Sequence, residues 1–312
     1  MKKYCLGTLA LILLFTLVGC GGGGGTNRTE TGTVSGLVYA PDEITPIVGA
    51  SVTVRGTTLS ITTNTQGAYT LTGVPVGLQK IIAAKGSYRA ETSVTVTKGQ
   101  TVNAEHLVLA PIGKIGVVKG LYDDIGEVLS SLGITYELIT DPNATFSDQA
   151  TLSQYAVIFF ECGLNDWFLM EEVNVTNLQD FVVQGGSIYT SDWASCVIDA
   201  MYPDKIEFAG KSGIEQTITA TITNTEIQSL LGKSTASICF DLGSWEVIDS
   251  VATGVTVDLR GTVQTDYGEK TNIPLMVHFS QGKGNVVYTS FHNEAQVTED
   301  VEKILNHLVF AL

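Results

Sequence analysis

The sequence predicts two domains, a small all-β sandwich followed by an α/β domain with a mainly parallel sheet. Three observations lead to this fold class. A length of 312 residues fits about two domains. Up to about residue 110, short apolar runs alternate with polar residues at a period of two, which is typical of half-buried strands. After residue 112, uninterrupted apolar strands alternate with segments of helical periodicity, which indicates a parallel sheet covered on both faces.

The composition excludes two classes of protein. With 44% hydrophobic and 16% charged residues, the chain is too apolar to be disordered. It carries 17 basic and 32 acidic residues, a net charge of −15, and no cluster of Lys and Arg. We therefore expect no nucleic-acid partner, because such a chain repels phosphate.

The N-terminus has the pattern of an export signal. Two lysines precede an apolar run over residues 9–18, which is shorter than the ~20 residues that span a bilayer. The run ends in Leu17-Val18-Gly19-Cys20, which resembles the bacterial lipoprotein lipobox. The resemblance implies a signal peptide over residues 1–19 and a lipid anchor on Cys20. The alternative is an ordinary signal peptide followed by an unrelated cysteine.

Residues 20–30 form a glycine-rich tether that we expect to remain flexible. Gly21, not aspartate, follows the lipidated cysteine, so the lipoprotein resemblance favours the outer membrane over inner-membrane retention. Cleavage after Gly19 removes two lysines and no acids, which changes the net charge from −15 to 15 − 32 = −17. We therefore expect a protein of the cell envelope, held by membrane lipid through the acyl chains of Cys20.

Residues 31–110 carry the strands of the predicted sandwich, with turn signals at a spacing near ten residues. The segments 46–54, 65–71 and 73–77 resemble the carboxypeptidase regulatory-like (transthyretin-like) domain. The resemblance implies a spacer or accessory module without catalytic residues, sometimes classed with carbohydrate-binding-like folds. Two interpretations are open for Tyr39, Tyr69 and Tyr88. They either form a glycan-binding site or pack as ordinary strand residues.

Residues 112–312 are predicted to form a three-layer, flavodoxin-like α/β domain. Strands and helices alternate up to the strand at residues 187–190. Residues 213–263 interrupt this alternation with β-branched stretches, and we expect an inserted or edge β element there. A hairpin over residues 274–290 and a helix over residues 301–312, capped by Thr298, complete the domain.

Ligands of such sheets bind beyond the carboxyl ends of the strands. Polar residues that follow the predicted strands are therefore the candidates for a site: Lys119, Asp123, Asp124, Glu161, Cys162, Ser191, Asp192 and His292. Trp167 and Trp193 also follow strand ends and are candidates for stacking on a sugar. Packing at the rim of the core is the alternative for both rings.

Two of these strand ends resemble class I glutamine amidotransferase-like domains. Residues 185–194, Gly-Gly-Ser-Ile-Tyr-Thr-Ser-Asp-Trp-Ala, are similar to the strand-to-helix elbow of that family. Ser290-Phe291-His292-Asn293-Glu294 resembles its Phe-His-Pro-Glu motif, and the preceding hairpin is nearer to the trehalose-utilisation-type branch. The resemblance implies that His292 is the general base and that Glu294 orients its imidazole. It places Asp192 at the nucleophile position, where the family has cysteine.

Asp192 cannot attack a carboxamide as a thiolate does, so the sequence favours a domain without this catalysis. One alternative is that Ser191, one residue away, is the nucleophile. Another is that His292 and Glu294 form a purely structural pair. A further alternative is a site for a hard cation with the ligands Asp192, Glu161 and His292, but their spacing fits no named metal motif. We expect no metal and no cofactor.

The three cysteines of the second domain, Cys162, Cys196 and Cys239, leave their pairing open between one disulfide with one thiol and three thiols. Taken together, the patterns predict an envelope-anchored, non-catalytic lipoprotein that binds a glycan or a protein partner in the strand-end crevice. Two alternatives remain from the sequence. One is an amide or ester hydrolase that uses His292 with an unconventional nucleophile, and the other is a purely structural envelope protein.

Overall fold

The computed structural model describes residues 30–292 and 298–312. The predicted signal peptide, the lipidation site Cys20, the tether up to residue 29 and Glu294 lie outside the described residues. Within the described ranges, no helix has the length and apolar character needed to cross a membrane.

Residues 31–111 form a β-sandwich, as predicted. Its strands are β1 (Thr31–Tyr39), β2 (Ser51–Val54), β3 (Ser60–Thr62), β4 (Ala68–Pro75), β5 (Gly77–Lys85), β6 (Tyr88–Val96), β7 (Thr101–Asn103), β8 (Leu107–Val108) and β9 (Ala110–Pro111). One sheet has the order β4-β1-β7, with β8 also paired to β1, and the other has the order β3-β2-β5-β6-β9.

Alternate residues of these strands fill the space between the two sheets. Val34 and Val52, for example, are fully buried. Tyr69 and Tyr88 are also core residues, 3% and 1% exposed, which leaves neither ring free to stack on a sugar. Tyr39 is half-buried and packs against His106. Two of the three tyrosines considered for a glycan site are therefore strand residues of the core.

The second domain contains eleven further strands and seven α-helices among the described residues. In chain order they are β10 (Lys114–Val118), α1 (Ile125–Ser131), β11 (Glu137–Leu138), α2 (Pro142–Ser147), α3 (Gln149–Leu152), β12 (Tyr155–Phe160), α4 (Glu172–Gln184), β13 (Ser187–Ser191), α5 (Ser195–Met201), β14 (Ile206–Phe208), β15 (Gln216–Ile222), α6 (Thr225–Leu231), β16 (Thr235–Phe240), β17 (Ile248–Val251), β18 (Thr256–Thr265), β19 (Gly268–Gln281), β20 (Gly284–Thr289) and α7 (Glu299–Ala311). Two short 3-10 helices cover Trp167–Met170 and Asp192–Ala194.

Nine of these strands form one sheet with the order β11-β10-β12-β13-β20-β19-β18-β15-β16. The first five are mutually parallel, and in chain order they run 2-1-3-4-5, which is the flavodoxin-like arrangement. The remaining strands pair antiparallel. Residues 216–265 thus supply antiparallel strands at one edge of the sheet. The α/β class and the three-layer arrangement predicted from the sequence are confirmed.

The parallel strands are buried on both faces, which explains their uninterrupted apolar sequences. Val157 and Phe159 of β12 point towards α1 and α7 and join the core that continues into the sandwich. Ile158 and Phe160 point to the opposite face, where they pack with residues of α4 and α5. Alternate residues of one strand therefore belong to different cores.

Hydrogen bonds explain where the first and the last helix of the second domain begin. Apolar residues recur at helical spacing from Leu121 to Leu132, but α1 begins only at Ile125, and Leu121 is 79% exposed. The reason is that the backbone N–H groups of Leu121 and Tyr122 both donate to the Cys162 carbonyl at 3.1 Å, outside any helix. The cap of the last helix is confirmed, since Thr298 Oγ1 accepts from the Val301 N–H at 3.2 Å.

The sandwich packs against the α7 side of the α/β domain. The rings of Tyr88 and Phe310 pack at a tilt with centroids 4.7 Å apart, and the Ser87 N–H donates to the Leu312 carbonyl at 2.5 Å. Lys85 forms an ion pair with Glu226 of α6. The two domains therefore share one continuous buried core.

Candidate functional site

The centre of the site is a sharp turn between β13 and the short 3-10 helix that leads into α5. Asp192 occupies this turn with a φ of 43°, a conformation uncommon for residues other than glycine. Tyr288 of the neighbouring strand donates to the Asp192 carbonyl at 3.0 Å, and the Glu246 N–H donates to Asp192 Oδ1 at 2.7 Å. The strand-to-helix elbow is thus present, with a buried carboxylate at its tip.

Two side chains from adjacent strand ends converge on Asp192. Cys162, which follows β12, places Sγ 3.5 Å from Asp192 Oδ2. His292, which follows β20, places Nδ1 3.6 Å from the same oxygen. Cys162 and Asp192 are fully buried, and the His292 side chain is 5% exposed. The parallel strand order β12-β13-β20 brings these three residues together.

Asp241 is a site residue that the sequence did not single out. Its Oδ1 lies 3.5 Å from His292 Nε2, so the imidazole stands between two carboxylates. Asp241 follows β16, an antiparallel edge strand, and the rule for carboxyl ends of parallel strands therefore does not reach it. Its position at the site depends on how the loop from Asp241 to Trp245 returns over the sheet.

Burial dominates the electrostatics of this cluster. It raises the pKa of Asp192 and raises the pKa of the Cys162 thiol to about 11, although His292 lowers the latter. Burial alone would lower the pKa of His292, but its hydrogen bonds with Asp192 and Asp241 raise it above the ordinary value. At neutral pH, Cys162 is consequently a protonated thiol rather than the thiolate that attacks carbonyl groups.

A second polar group forms around Glu161, one residue before Cys162. The two Glu161 oxygens accept from the N–H groups of Gly120 at 3.0 Å and Ile125 at 3.2 Å, and Lys119 Nζ lies 3.4 Å away. Lys119 also pairs with Asp124 at 3.0 Å. Burial raises the pKa of Glu161 to about 7. Glu161 therefore holds the loop after β10.

Glu161 does not complete the cation site predicted with Asp192 and His292. Among the described residues, Cys162 takes that place, with ligand atoms of Cys162, Asp192 and His292 within 4.8 Å of one another. Neighbouring residues of an extended chain point to opposite sides, which sends Glu161 towards the first loop and Cys162 towards Asp192. The hard-cation alternative, which named Glu161 together with Asp192 and His292, therefore does not form one cluster.

Ser191 connects the two groups. Its Oγ donates to Asp123 Oδ2 and accepts from the Cys162 N–H at 3.0 Å, and all three residues are buried. Both of these hydrogen bonds of the Ser191 hydroxyl point away from His292. Serine hydrolysis through Ser191 therefore has no support in this geometry.

The two predicted tryptophan platforms have different environments. Trp193 is half-buried, stacks edge-on with Tyr122 at 5.1 Å and lies under Lys211, whose Nζ is 4.3 Å from the ring centre. Trp167 is 72% exposed. Within the described residues no disulfide joins Cys162, Cys196 and Cys239, which selects the alternative of three thiols.

The expected crevice at the carboxyl ends of the strands is filled. The gap beside Asp192, Asp241, Ser290 and His292 has no room for a water molecule. A cavity of about 660 Å³ lies instead at the opposite end of β12 and β13, between Tyr155, Asn177 and Gly186. The described residues therefore leave no space for a substrate beside the cluster.

Part of the chain matches a known family. Residues 33–110 match the carboxypeptidase regulatory-like domain. This segment is the sandwich, and the match agrees with the resemblance carried by its turns and strands. No curated protein sequence matches the chain.

Several solved structures are similar to this chain. A protein described as ThuA-like from Bacteroides uniformis has 11% identity and a TM-score of 0.47, covering 65% of this chain and 92% of that one. A second ThuA-like protein, from Parabacteroides merdae, has 11% identity, a TM-score of 0.46 and coverages of 65% and 90%. A β-galactosidase from Rahnella sp. R3 has 15% identity, a TM-score of 0.41 and coverages of 62% and 30%. At these scores the similarities do not establish an activity for this chain.

Proposed function

We propose that the chain is an envelope-anchored lipoprotein whose class I glutamine amidotransferase-like domain is non-catalytic and binds a protein partner. One observation carries the non-catalytic part. The residue on the elbow is Asp192, fully buried, with one carboxylate oxygen accepting the Glu246 N–H and the other facing Cys162 and His292. Within the described part of the chain, this carboxylate is buried away from any substrate.

The remaining thiol does not replace the missing nucleophile. Cys162 is 0% exposed and its pKa is raised by burial, whereas reactive cysteines are exposed and have lowered pKa values. Among the described residues, the gap beside His292 has no room for a water molecule. These facts support binding without chemistry over hydrolysis.

Hydrolase assays on the purified full chain test this proposal. We expect that glutamine, p-nitrophenyl acetate and simple peptide amides are hydrolysed no faster by the wild-type chain than by His292→Ala or Cys162→Ala. Thermal unfolding of each variant verifies that it is folded. Hydrolysis above the buffer rate that disappears in His292→Ala would establish the alternative hydrolase function.

The proposed binding surface lies on the loops after β10 and β12. Leu121, Trp167 and Met170 expose 79%, 72% and 79% of their surface, and all three lie on the segments that follow these two strands. The two loops are joined, because the Leu121 and Tyr122 N–H groups donate to the Cys162 carbonyl. Exposed Leu, Met and Trp side chains favour a protein over a glycan as the partner.

Site-specific photo-crosslinking in cells tests the binding surface. Trp167→p-benzoylphenylalanine is expected to give a discrete adduct with an envelope protein. Leu78, 74% exposed on strand β5 of the sandwich, provides the matched control. Equal adducts at both positions would contradict a specific surface, and stabilisation of the chain by cell-wall fragments instead would favour the glycan.

Anchoring is a separate part of the proposal. It is supported by the basic start, the apolar run and Cys20 in the sequence. We expect that Cys20→Ser prevents incorporation of a labelled fatty acid and leaves the uncleaved chain in the inner-membrane fraction. Labelling that persists in Cys20→Ser would exclude this cysteine as the anchor.

A further inference from the structure

Three side chains with different metal-binding chemistry meet at the carboxyl ends of β12, β13 and β20. Sγ of Cys162 lies 3.5 Å from Asp192 Oδ2, and Nδ1 of His292 lies 3.6 Å from the same oxygen. In a tetrahedral zinc site, with Zn–S near 2.3 Å and Zn–N and Zn–O of 2.0–2.2 Å, ligand atoms stand about 3.3–3.7 Å apart. Both measured separations fall in this range, as two edges of one coordination polyhedron would.

Each of the three residues is also held from outside the cluster. Asp241 Oδ1 lies 3.5 Å from His292 Nε2, so a proton on Nε2 directs the lone pair of Nδ1 towards Asp192 and Cys162. The Glu246 N–H engages Asp192 Oδ1 and leaves Oδ2 for the cluster. The Cys162 N–H donates to Ser191. Carboxylates and backbone groups that orient ligands in this way are characteristic of metal sites.

The buried carboxylate of Asp192 needs a positive charge beside it, which is either the His292 imidazolium or a cation bound in the place of its proton. Cys162 and Asp192 are fully buried, and a buried carboxylate is costly unless a charge of opposite sign accompanies it. A divalent cation balances one thiolate and one carboxylate, with the imidazole as a neutral ligand. The mixed S, N and O donors are those of zinc rather than of magnesium or calcium, which take oxygen ligands.

We propose that Cys162, Asp192 and His292 bind one divalent cation of the Zn²⁺ class in a closed, structural site. Binding displaces the thiol proton of Cys162 and the Nδ1 proton of the His292 imidazolium to solvent, and the S–metal and N–metal bonds form in their places. The described residues leave no room for a water molecule in the gap beside His292, whereas a catalytic zinc site keeps an open position. The ion joins the ends of three adjacent strands and thereby stabilises the elbow.

Cobalt substitution tests the proposal on the full chain. The protein is stripped with a chelator and titrated with Co²⁺ alone. We expect a thiolate-to-Co²⁺ charge-transfer band in the near ultraviolet that saturates at one equivalent and disappears when Zn²⁺ is added. A titration that gives no such band, or several equivalents of weakly bound ion, would overturn the proposal.

Two pairs of variants assign the ligands. Cys162→Ser should abolish the band, whereas Cys196→Ser, a free thiol whose Sγ lies 3.6 Å from the Trp193 carbonyl, should retain it. His292→Gln should weaken Co²⁺ binding at least tenfold, whereas His278→Gln, which alters the separate pair with Asp258, should leave it unchanged. Equal loss in a variant and its control would contradict the assignment.

The melting temperature of the wild-type chain tests the proposal without the use of any variant. Zn²⁺ at 100 times its Kd is expected to raise the melting temperature of the stripped wild-type chain by several degrees, because an ion that binds only the folded state stabilises it. Magnesium at the same concentration should have no effect. An unchanged melting temperature with Zn²⁺ would reject a structural ion.

Discussion

At Asp192, one residue combines an uncommon backbone conformation with a buried charge. The φ of 43° turns the side chain into the sheet end, and Tyr288 and Glu246 fix it there through hydrogen bonds. Glu246 in turn depends on its neighbour Trp245, which is 1% exposed and stacks on Phe240 at 3.9 Å. The geometry of the elbow is therefore connected to the packing of one tryptophan.

A glycine makes the packing of Trp245 possible. A Cβ on Gly213 would stand 2.1 Å from the indole ring, whereas a Cβ on Gly243 would meet nothing within 4 Å. We expect Gly213→Ala to lower the free energy of unfolding by about 1–3 kcal/mol, as overpacked cores do. Urea denaturation provides the measurement, with Gly243→Ala as the near-neutral control. Equal stability of the two variants would show that Trp245 moves freely.

At the scale of elements, the parallel strands decide which side chains meet. β12, β13 and β20 are neighbours in the sheet although β20 follows β13 by about ninety residues of chain, and the site residues follow each of them directly. The sequence between them builds the antiparallel half and returns Asp241 and Glu246 to the same sheet end. The helix after the last site strand then closes the domain.

The N-cap of α7 gives a prediction at this scale. Thr298 Oγ1 accepts from the Val301 N–H and donates to the Ser237 carbonyl at 2.6 Å, which joins the helix to β16. Thr298→Ala should lower the free energy of unfolding by about 1 kcal/mol, and Thr298→Ser should recover most of it. Denaturant midpoints at constant m value are the measurement. A loss in both variants would assign the effect to the methyl group instead of the cap.

At the scale of the whole molecule, the two domains are joined by a buried interface that contains titratable groups. His307 of α7 is almost fully buried, with Glu226 3.8 Å away and Lys85 paired to the same carboxylate. Burial lowers the pKa of His307 below its ordinary 6.5, and the positive charge of Lys85 adds to the effect. The folded chain therefore keeps this imidazole neutral at pH values where the unfolded chain protonates it.

The sign of the pH dependence follows from that difference. Below about pH 6.5 the unfolded chain binds more protons at His307, so stability falls as the pH decreases. We expect the wild-type chain to lose about 1–2 kcal/mol more than His307→Gln between pH 7.5 and 5. Urea unfolding at both pH values measures this difference. Identical losses in the two proteins would show that His307 is not protonated on unfolding.

His278 should behave in the opposite way. Its hydrogen bond with Asp258 raises its pKa, so its contribution is complete below about pH 6.5 and is lost as the pH rises through the raised value. His278→Gln should therefore destabilise the chain more at pH 5.5 than at pH 9. The same urea series measures it, and a pH-independent effect would point to packing alone.

Local sequence patterns were sufficient to predict much of the fold. The period-two segments of β1 and β2 specify the sandwich, and the continuous apolar run of β12 specifies a strand buried on both faces, because periodicity reflects which faces are covered. The same reasoning located Cys162, Asp192 and His292, since the strands and turns that precede them are readable.

Only the tertiary structure decided which of these candidates touch. Glu161 and Cys162 are adjacent in sequence but point into different groups, and Asp241 arrives from a loop after an antiparallel strand that no strand-end rule covers. Closure of the crevice is likewise a result of packing between distant segments. The sequence by itself determined the domains, the strands and the absence of cysteine at the elbow, because these depend on local pattern and residue identity. The enclosed Cys162, Asp192 and His292 cluster depended on side-chain directions and long-range packing, which exist only in the folded chain.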